Sequence, residues 1–383
     1  MQASLMRMLT RRLAGRCFRP ALAFLMALAA LAASAPTALA QITVTDVAGR
    51  EVTLPAPAKR IIVEAPGYFP ALALLSREAA DLVVGVGATE SRGQFEAEQE
   101  LAKKPRLGTI ASSTFAVETA LSLKPDLLIA TLAGPGQQDA VERAFAAAGV
   151  PILYVDFFVD PAKNTVPSVE LIGRAIGEEK KAAEFAAFHR GRVATITERL
   201  AAERPEPPKL MILRRAADGT CCWSFAKGFM SPFFEILRVK NIAEDKLPGM
   251  VGQLSLEAVI ESDPEVFVAT DWSFWAESLF GPERTRDQTF GRLEKLTTEP
   301  GLNALSAIAK RRVHAIDTTL MRSPLNVLAV ELFAKWSHPK LFTDLDPQKT
   351  LDEINGRFLA TPLKGPFWVS LDPAVDKPSG ARP

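Results

Sequence analysis

The sequence predicts an α/β fold of two lobes with mainly parallel sheets, bridged by one long helix, with a ligand cleft between the lobes. Two observations lead to this prediction. One pattern occurs twice, as VETALSLKPDLLIA at residues 117–130 and as LEAVIESDPEVFVA at residues 256–269. Between the copies, residues 177–205 carry the apolar spacing of a single long amphipathic helix. Because each half holds one copy, we expect two lobes of like construction, and interfaces between lobes are where small ligands commonly bind.

Each copy of the repeat reads as a short helix followed by a strand. Apolar residues at helical spacing precede Pro125 in the first copy and Pro264 in the second. Proline disfavours helical geometry in the residue before it, so both helices should end there. The runs 127–129 and 266–268 are then wholly apolar, as expected of strands that are covered on both faces of a parallel sheet.

Segments around the two repeats alternate between strand and helix. A β-hairpin is predicted at 42–54, with Gly49 at its bend. The first lobe has further predicted strands at 60–63, 82–87 and 152–155 and helices at 68–75 and 139–148. The second lobe has predicted strands at 210–214, 266–270 and 313–317 and helices at 232–237 and 325–336. This alternation favours parallel sheets flanked by helices.

The segment between the repeats predicts an interlobe strut. Ala182, Phe185 and His189 begin an apolar series at three- or four-residue spacing, and the proline-dense stretch 204–208 ends it. We therefore predict a signal peptide, an N-terminal lobe, an interlobe helix with its linker, a C-terminal lobe and a C-terminal extension. These five parts are residues 1–40, 41–166, 167–205, 206–345 and 346–383. The end of the extension, 374–383, is polar and proline-rich and is expected to be disordered.

Residues 1–40 predict export. Five arginines and no acidic residue precede an apolar stretch at 21–33 that is too short to span a bilayer. The A-x-A pattern that ends at Ala40 predicts cleavage there and a periplasmic location. Cys17 precedes the apolar stretch and is therefore not a lipoprotein cysteine. Thr10-Arg11-Arg12 hints at a twin-arginine signal, but the residues after it fit that signal poorly, which leaves the export route open.

Composition argues against several classes of partner. The chain has 45 basic and 44 acidic residues, and five of the basic residues but none of the acidic ones lie in the signal segment. The remaining chain is therefore net acidic, and it has no basic stripe that would suit nucleic acid. No second apolar run reaches membrane length, so the mature protein is expected to be soluble. Its length suits two lobes better than one core, and we expect a monomer.

No residue set in the sequence indicates a resident metal, a cofactor or catalysis. His189, His314 and His338 are the only histidines, and their spacing is not that of zinc ligands. No Ser-His-Asp arrangement or metal-hydrolase motif is visible, so we expect a binding protein and not an enzyme. Cys221 and Cys222 leave several alternatives open: a vicinal disulfide, free thiols, a site for a soft ligand, or two partly buried small residues.

Five segments, in order, resemble the class III periplasmic substrate-binding proteins of ABC importers, the family that captures ferric siderophores, haem and cobalamin. They are the entry Thr43–Asp46 with Gly49-Arg50 and Arg60–Ile62, the first repeat, the long helix, the second repeat, and the closing Arg312–Asp317 with Ser323-Pro324. The resemblance implies two α/β lobes bridged by one helix, a ligand between them and only small closure. It also implies that one glutamate on each lobe docks into arginine pockets of a permease dimer.

Glu118 and Glu257 occupy the matching positions of the two repeats and are the expected docking residues. Arginine–carboxylate pairs give register and orientation, which suits a pseudo-symmetric partner. On the residues alone, the alternative is that both are ordinary solvated carboxylates, favoured at a helix start by the helix dipole.

Ligand-binding residues are expected in loops at the carboxyl ends of the strands, because these loops line the cleft. The candidates are Tyr68 and Arg92 in the first lobe and Trp223, Trp272 and Arg322 in the second. Aromatic rings beside an arginine suit a large planar or anionic chelate. The alternative is that the aromatic residues pack the lobe surfaces and the arginines are solvated.

The expected function is therefore capture of a metal chelate and its delivery to an ABC permease in the inner membrane. A ferric siderophore is the first expectation for the ligand, and haem or a corrinoid is the second. The chelate is cargo, and no intrinsic cofactor is expected. An oxyanion such as molybdate is an alternative ligand on the same fold. An exported bilobed enzyme, and a sensor or scaffold without a permease, are rival classes.

Overall fold

The structure is a computed structural model that describes residues 41–87, 100–131, 136, 138–214, 221–270, 278–281, 284–373 and 375. The chain divides into two units, Met1–Gln41 and Ile42–Pro383, and the elements below all belong to the second. The predicted signal peptide, the candidates Arg92 and Trp272, and the predicted disordered end apart from Val375 lie outside the described residues. Across the described ranges, no helix combines the length and apolar character needed to cross a bilayer.

The predicted β-hairpin is formed by β1 (Ile42–Thr45) and β2 (Glu51–Leu54). Buried Asp46 holds its bend, because its carboxylate accepts hydrogen bonds from the backbone of Ala48 and Arg50, both at 3.0 Å, and from the Arg50 guanidinium at 2.8 Å. Gly49 has a φ of 78°, which a residue without Cβ adopts at no steric cost.

The first lobe contains a parallel sheet of four strands. They are β3 (Ile61–Val63), β4 (Val83–Val86), β5 (Leu127–Thr131) and β6 (Ile152–Val155), in the order β4–β3–β5–β6. The helices of this part are α1 (Phe69–Leu75), α2 (Ala79–Leu82), α3 (Val117–Ser122), α4 (Asp139–Ala147) and α5 (Pro161–Ile176). Strands β3 and β6 are buried along their whole length, as the continuous apolar runs predict.

Helix α5 is not among the predicted elements, and it crosses the predicted boundary between residues 166 and 167. Proline is unfavourable inside a helix, so Pro167 weakens the helical signal in the sequence of this segment. The start signal is nevertheless present, because the Asp160 carboxylate accepts from the backbone N–H of Lys163 at 3.2 Å and Pro161 is the first helical residue.

The predicted strut is one continuous helix, α6 (Glu179–Glu203), of 25 residues. It follows α5 through Gly177, whose φ of 77° ends that helix, and it stops at Arg204, whose φ is 47°. The apolar series that predicts the helix is its buried face, which includes Ala182, Phe185 and His189.

The second lobe contains a sheet of five strands. They are β7 (Lys209–Arg214), β9 (Lys240–Asn241), β11 (Val266–Thr270), β12 (Val313–Ile316) and the antiparallel β13 (Trp368–Ser370), in the order β13–β12–β11–β7–β9. A separate antiparallel ribbon pairs β8 (Trp223–Phe225) with β10 (Val251–Gln253). The helices are α7 (Ser231–Ile236), α8 (Leu256–Ser262), α9 (Arg286–Leu296), α10 (Ser306–Ala309), α11 (Thr318–Met321), α12 (Asn326–Ser337) and α13 (Pro347–Arg357).

The two sheets share one topology, since β4–β3–β5–β6 corresponds to β9–β7–β11–β12. The repeats are α3 with β5 and α8 with β11, so the predicted helix-to-strand units are confirmed. The structure shows why an acidic residue follows the proline in both repeats: its carboxylate accepts from backbone N–H groups at the start of the neighbouring strand. Asp126 accepts from the backbone N–H groups of Lys59 and Arg60 at 2.8 and 2.9 Å, and Glu265 accepts from that of Lys209 at 3.2 Å. Each acid thus joins its strand to the start of the neighbouring one.

In both lobes, a basic side chain donates a hydrogen bond to a backbone carbonyl at the C-terminal end of the repeat helix. Arg60 donates to the carbonyl of Lys124 at 2.9 Å, and Lys209 donates to the carbonyl of Ser262 at 2.9 Å. The residue before each proline, Lys124 or Asp263, has positive φ, at 50° and 40°. These bonds satisfy carbonyls that a helix end would leave open.

One hydrophobic cluster includes residues of both lobes and of α6. Phe69 of the first lobe, Phe185 of the strut, and Phe234 and Phe333 of the second lobe all belong to it. Each sheet also has a second cluster on its other face.

A buried polar link joins the strut to helices of both lobes. Asn326, at the start of α12, donates to Thr165 Oγ1 of α5 at 2.6 Å, so its amide oxygen is the acceptor for His189 Nε2 of α6 at 2.7 Å. Burial lowers the pKa of His189 to about 4, so the imidazole is neutral at neutral pH and donates through Nε2–H.

Candidate functional site

The candidate site lies where parallel strands of both sheets end. Such carboxyl edges carry the ligand sites of open α/β sheets. On the first-lobe side, β3 leads into Glu64, β5 ends at Thr131, and β6 leads into Asp156. On the second-lobe side, β7 ends at Arg214 and β11 at Thr270, while β12 leads into Asp317 and Thr318.

The first-lobe wall centres on Tyr68, which closes a 3-10 turn before α1. Its hydroxyl is hydrogen-bonded to Thr131 Oγ1, which in turn donates to Glu64 Oε2 at 3.3 Å. Buried Glu64 also accepts from the backbone N–H groups of Ile110 and Thr131 at 3.3 and 3.4 Å. Burial, reinforced by the nearby Glu64 charge, raises the pKa of Tyr68 well above its usual range, so it is a neutral phenol on the first-lobe side of the site.

The second-lobe wall contributes two arginines. Arg322 follows α11, and its guanidinium lies 4.4 Å from the ring centre of Phe158 in the first lobe. Burial lowers the pKa of Arg322 to about 10, with Tyr68 and Glu64 raising it and Arg214 lowering it further. Arg322 is therefore a cation at neutral pH that feels charges from both lobes. Arg214 ends β7, with its guanidinium 5.8 Å from the ring centre of Phe225.

The base of the site is an aromatic contact between the lobes. The rings of Phe158 and Phe229 are 5.3 Å apart, and the Phe229 backbone N–H donates to the Phe158 carbonyl at 2.9 Å. Gly228 has a φ of 74°, and a Cβ there would lie 3.3 Å from the Val159 carbonyl oxygen. Asp156 fixes the loop, since its carboxylate accepts from the backbone of Phe158 at 2.8 Å and of Val159 at 2.7 Å.

These groups together can hold an anion against aromatic surface. Two guanidinium groups, the Tyr68 phenol and the hydroxyls of Thr270 and Thr318, 3.0 Å apart, provide polar contacts, while Phe158 supplies apolar area. Desolvated arginines bind carboxylates and phosphates as planar, two-pronged donors. Among the described residues, no three His, Cys, Asp or Glu side chains gather as a metal-binding group.

Of the predicted ligand residues, Tyr68 and Arg322 lie in this cluster, on opposite walls. Trp223 is half-buried and opens β8, where it pairs with Gln253 of β10. Arg92 and Trp272 lie outside the described residues. Four residues of the cluster were not predicted as ligand-binding residues, namely Glu64, Arg214, Phe158 and Phe229. Each of the first three stands at or just after a strand end, so the rule that selected the loops applies to them as well.

Of the alternatives for the two cysteines, the structure has the vicinal disulfide, because Cys221 and Cys222 are bonded to each other. The Cys222 side chain is buried, and the Leu254 backbone N–H donates to the Cys222 carbonyl at 3.0 Å. All three histidines have internal partners. His314 bonds to Ser370 Oγ at 2.7 Å, and His338 bonds to the Leu237 carbonyl at 2.9 Å.

The predicted docking carboxylates Glu118 and Glu257 are both exposed and lie in the first turns of α3 and α8. Each helix leads into a strand and, as in any crossover, runs back along the sheet. Both glutamates, in the first turns of these helices, therefore lie near the edge where the strands end, which is the side of the candidate site. Their docking role stays a prediction.

Comparisons with known proteins give one family. The sequence model of the periplasmic binding proteins matches residues 61–320. The uncharacterized ABC transporter substrate-binding lipoprotein YvrC of Bacillus subtilis (strain 168) is 23% identical over 305 residues, which cover 79% of this chain and 87% of that protein.

Solved structures agree with this match. The TroA-like periplasmic binding protein FepB of Veillonella parvula has a TM-score of 0.76 and 25% identity, with 86% of this chain and 99% of that chain covered. The Haemophilus influenzae protein MolA, bound to molybdate, has a TM-score of 0.64 and 18% identity over 84% and 99% of the two chains, and shows the shared fold. The chain therefore belongs to the periplasmic binding proteins, as a class III substrate-binding protein of an ABC transporter.

Proposed function

We propose that this protein captures an anionic metal chelate in the periplasm and delivers it to an ABC permease, without catalysing a reaction. A ferric siderophore is the leading ligand, and haem or a corrinoid is the next. The observation that carries this proposal is the position of Arg322, whose guanidinium lies 4.4 Å from the ring centre of Phe158 and is influenced by the charge of Glu64 from the first lobe.

Charge and apolar surface together favour a chelate over a small polar solute. Arg214 and Arg322 attract negative groups, while half-buried Phe158 offers ring surface to an organic periphery and fully buried Phe229 packs against it. Buried Glu64 near Arg322 opposes a ligand of concentrated negative charge. A large anion that spreads its charge over many atoms fits this balance better than a compact one.

A molybdate-like oxyanion is the second candidate. Arginine and threonine donors, here Arg214, Arg322, Thr270 and Thr318, are suited to a tetrahedral anion, and the similar MolA structure contains molybdate. The exported enzyme remains a distant third class, since the matched family consists of transport proteins.

Delivery would follow export, cleavage near Ala40 and docking through Glu118 and Glu257, with the protein acting as a monomer. The permease dimer would receive one carboxylate from each lobe. Arginine–carboxylate contacts of this kind set the orientation of docking as well as its strength.

The test combines identification and mutation. Native mass spectrometry of protein purified from its own periplasm reads the mass of the bound ligand. Titrations with a ferric catecholate, a ferric hydroxamate, haemin, cobalamin and molybdate then rank the classes by affinity. We expect Arg322→Ala to weaken an anionic chelate by roughly tenfold to a hundredfold. Arg190→Ala, which removes an exposed arginine of the strut paired with Glu170, is the control. Tight binding of molybdate alone would reverse the order of the two candidates.

A further inference from the structure

The two repeat helices differ on the face that carries the glutamate. In α8 the inward residue Val259 is fully buried, while Glu257, Ile260 and Glu261 are exposed. Spacings of three and four residues place these three on one helix face. Ile260 is 42% exposed, and the other exposed large hydrophobic residues in the described part of the chain are Val159 at 44% and Ile236 at 39%.

The equivalent face of α3 is smaller and less charged. Ala120 is the buried inward residue, and the outward positions are Glu118, Leu121 and Ser122. Leu121 packs partly into the first-lobe cluster, and serine replaces the second acid. The second lobe therefore presents two carboxylates around an isoleucine, where the first lobe presents a single carboxylate.

We propose that the α8 face formed by Glu257, Ile260 and Glu261 is the dominant half of the permease-docking surface. This rests on the proposed function. Its partner is a periplasmic loop of the permease that presents two basic side chains around an apolar one. The face contains the predicted docking carboxylate Glu257, and its two acids and exposed isoleucine call for basic and apolar groups on the partner. A lone exposed isoleucine is ordinary on a protein surface, so its place between two acids is what carries the inference.

Docking is then unequal between the lobes even on a permease with two identical halves. Carboxylates one helical turn apart can pair with two cations, or with one arginine and a neighbouring lysine. Reversing Glu257 to lysine also gives Glu261 an internal partner one turn away, so it should weaken docking more than reversing Glu118. On such a permease the two orientations related by its twofold axis are equivalent, so the inequality lies between the lobes and not between orientations.

The experiment measures affinity for the cognate permease–ATPase complex, reconstituted in nanodiscs. We expect Ile260→Ser to weaken binding about five- to tenfold and Glu261→Gln about threefold to tenfold. Ile236→Ser is the matched control, because Ile236 is 39% exposed on α7 and lies outside the docking face. Thermal unfolding and affinity for the identified ligand should be unchanged in all three variants.

Charge reversals separate the two proposals. If Glu118→Lys and Glu257→Lys abolish docking while Ile260→Ser and Glu261→Gln match Ile236→Ser, the asymmetric surface is wrong and the docking assignment stands. If none of the five variants alters docking, the docking assignment itself fails. Weaker docking by Ile260→Ser and Glu261→Gln, with Glu257→Lys more damaging than Glu118→Lys, supports the asymmetric surface.

Discussion

Replacing Asn326 with alanine tests the buried link between the lobes. The side chain makes two hydrogen bonds, to Thr165 at 2.6 Å and to His189 at 2.7 Å, and all three groups are buried. The substitution leaves the His189 Nε2–H without an acceptor, at a cost of about 1–3 kcal/mol, and removes the Thr165 bond, worth about 1 kcal/mol. We expect the free energy of unfolding to fall by roughly 2–4 kcal/mol.

The assay is urea unfolding followed by circular dichroism, with a double-mutant cycle. Thr165→Val removes one bond and leaves the buried Asn326 amide N–H without an acceptor, so it should cost about 1–3 kcal/mol. Because the two sites share that bond, the double variant should be less destabilised than the sum of the single variants. Hydrogen exchange should speed up at the start of α12 and along α5, which the link joins. A loss below 0.5 kcal/mol for Asn326→Ala, taken from the lower bound for a buried hydrogen bond, would refute the reasoning.

Four further outcomes are expected. Reversing Glu118 and Glu257 to lysine should abolish uptake while ligand affinity stays unchanged; normal transport would contradict the docking role. Burial raises the pKa of Glu331 to about 7, so its contribution to stability is present at low pH and declines as pH rises from about 4.5 through 7. Glu331→Gln should flatten that decline in unfolding measured between pH 5 and 8. Trp223→Ala should weaken chelate binding by roughly 1–3 kcal/mol if the indole contacts the ligand, and intact affinity with lowered thermal stability would instead identify it as packing. Because α6 is a continuous helix, small-angle scattering should show only modest closure on binding, and a large drop in radius of gyration would contradict a rigid strut.

Local signals explain why much of the fold is predictable from sequence. The repeats, the long helix and the buried strands each depend on residues close together in the chain, such as Pro125 and the apolar run that follows it. Strands β9 and β13 escape prediction because two or three residues show no periodicity, and their pairing depends on distant partners. Part of the predicted C-terminal extension thus joins the second-lobe sheet through β13.

The site is harder to predict because its groups meet only in three dimensions. Tyr68 and Arg322 are predicted individually from loop positions, yet their closeness in space depends on how the two lobes face each other. In the sequence, Arg214 is only the last residue of a predicted strand, and Phe158 is only one of the aromatic residues that follow β6. What singles out Phe158 is its contact with Phe229 of the other lobe, which no sequence spacing encodes.

The direction of β13 matters for anyone who attaches this protein to a surface. The strand begins with Trp368 opposite Ile316 and ends with Ser370 opposite His314, antiparallel to β12. The polypeptide thus enters beside the Phe367 carbonyl, which accepts from the Asp317 N–H at 2.8 Å, and leaves at the far edge of the sheet. An anchor or dye fused behind the last strand would emerge on the side away from the aromatic base and the paired arginines. A sensor chip prepared in this way would present the edge of the sheet that carries these groups to the sample solution.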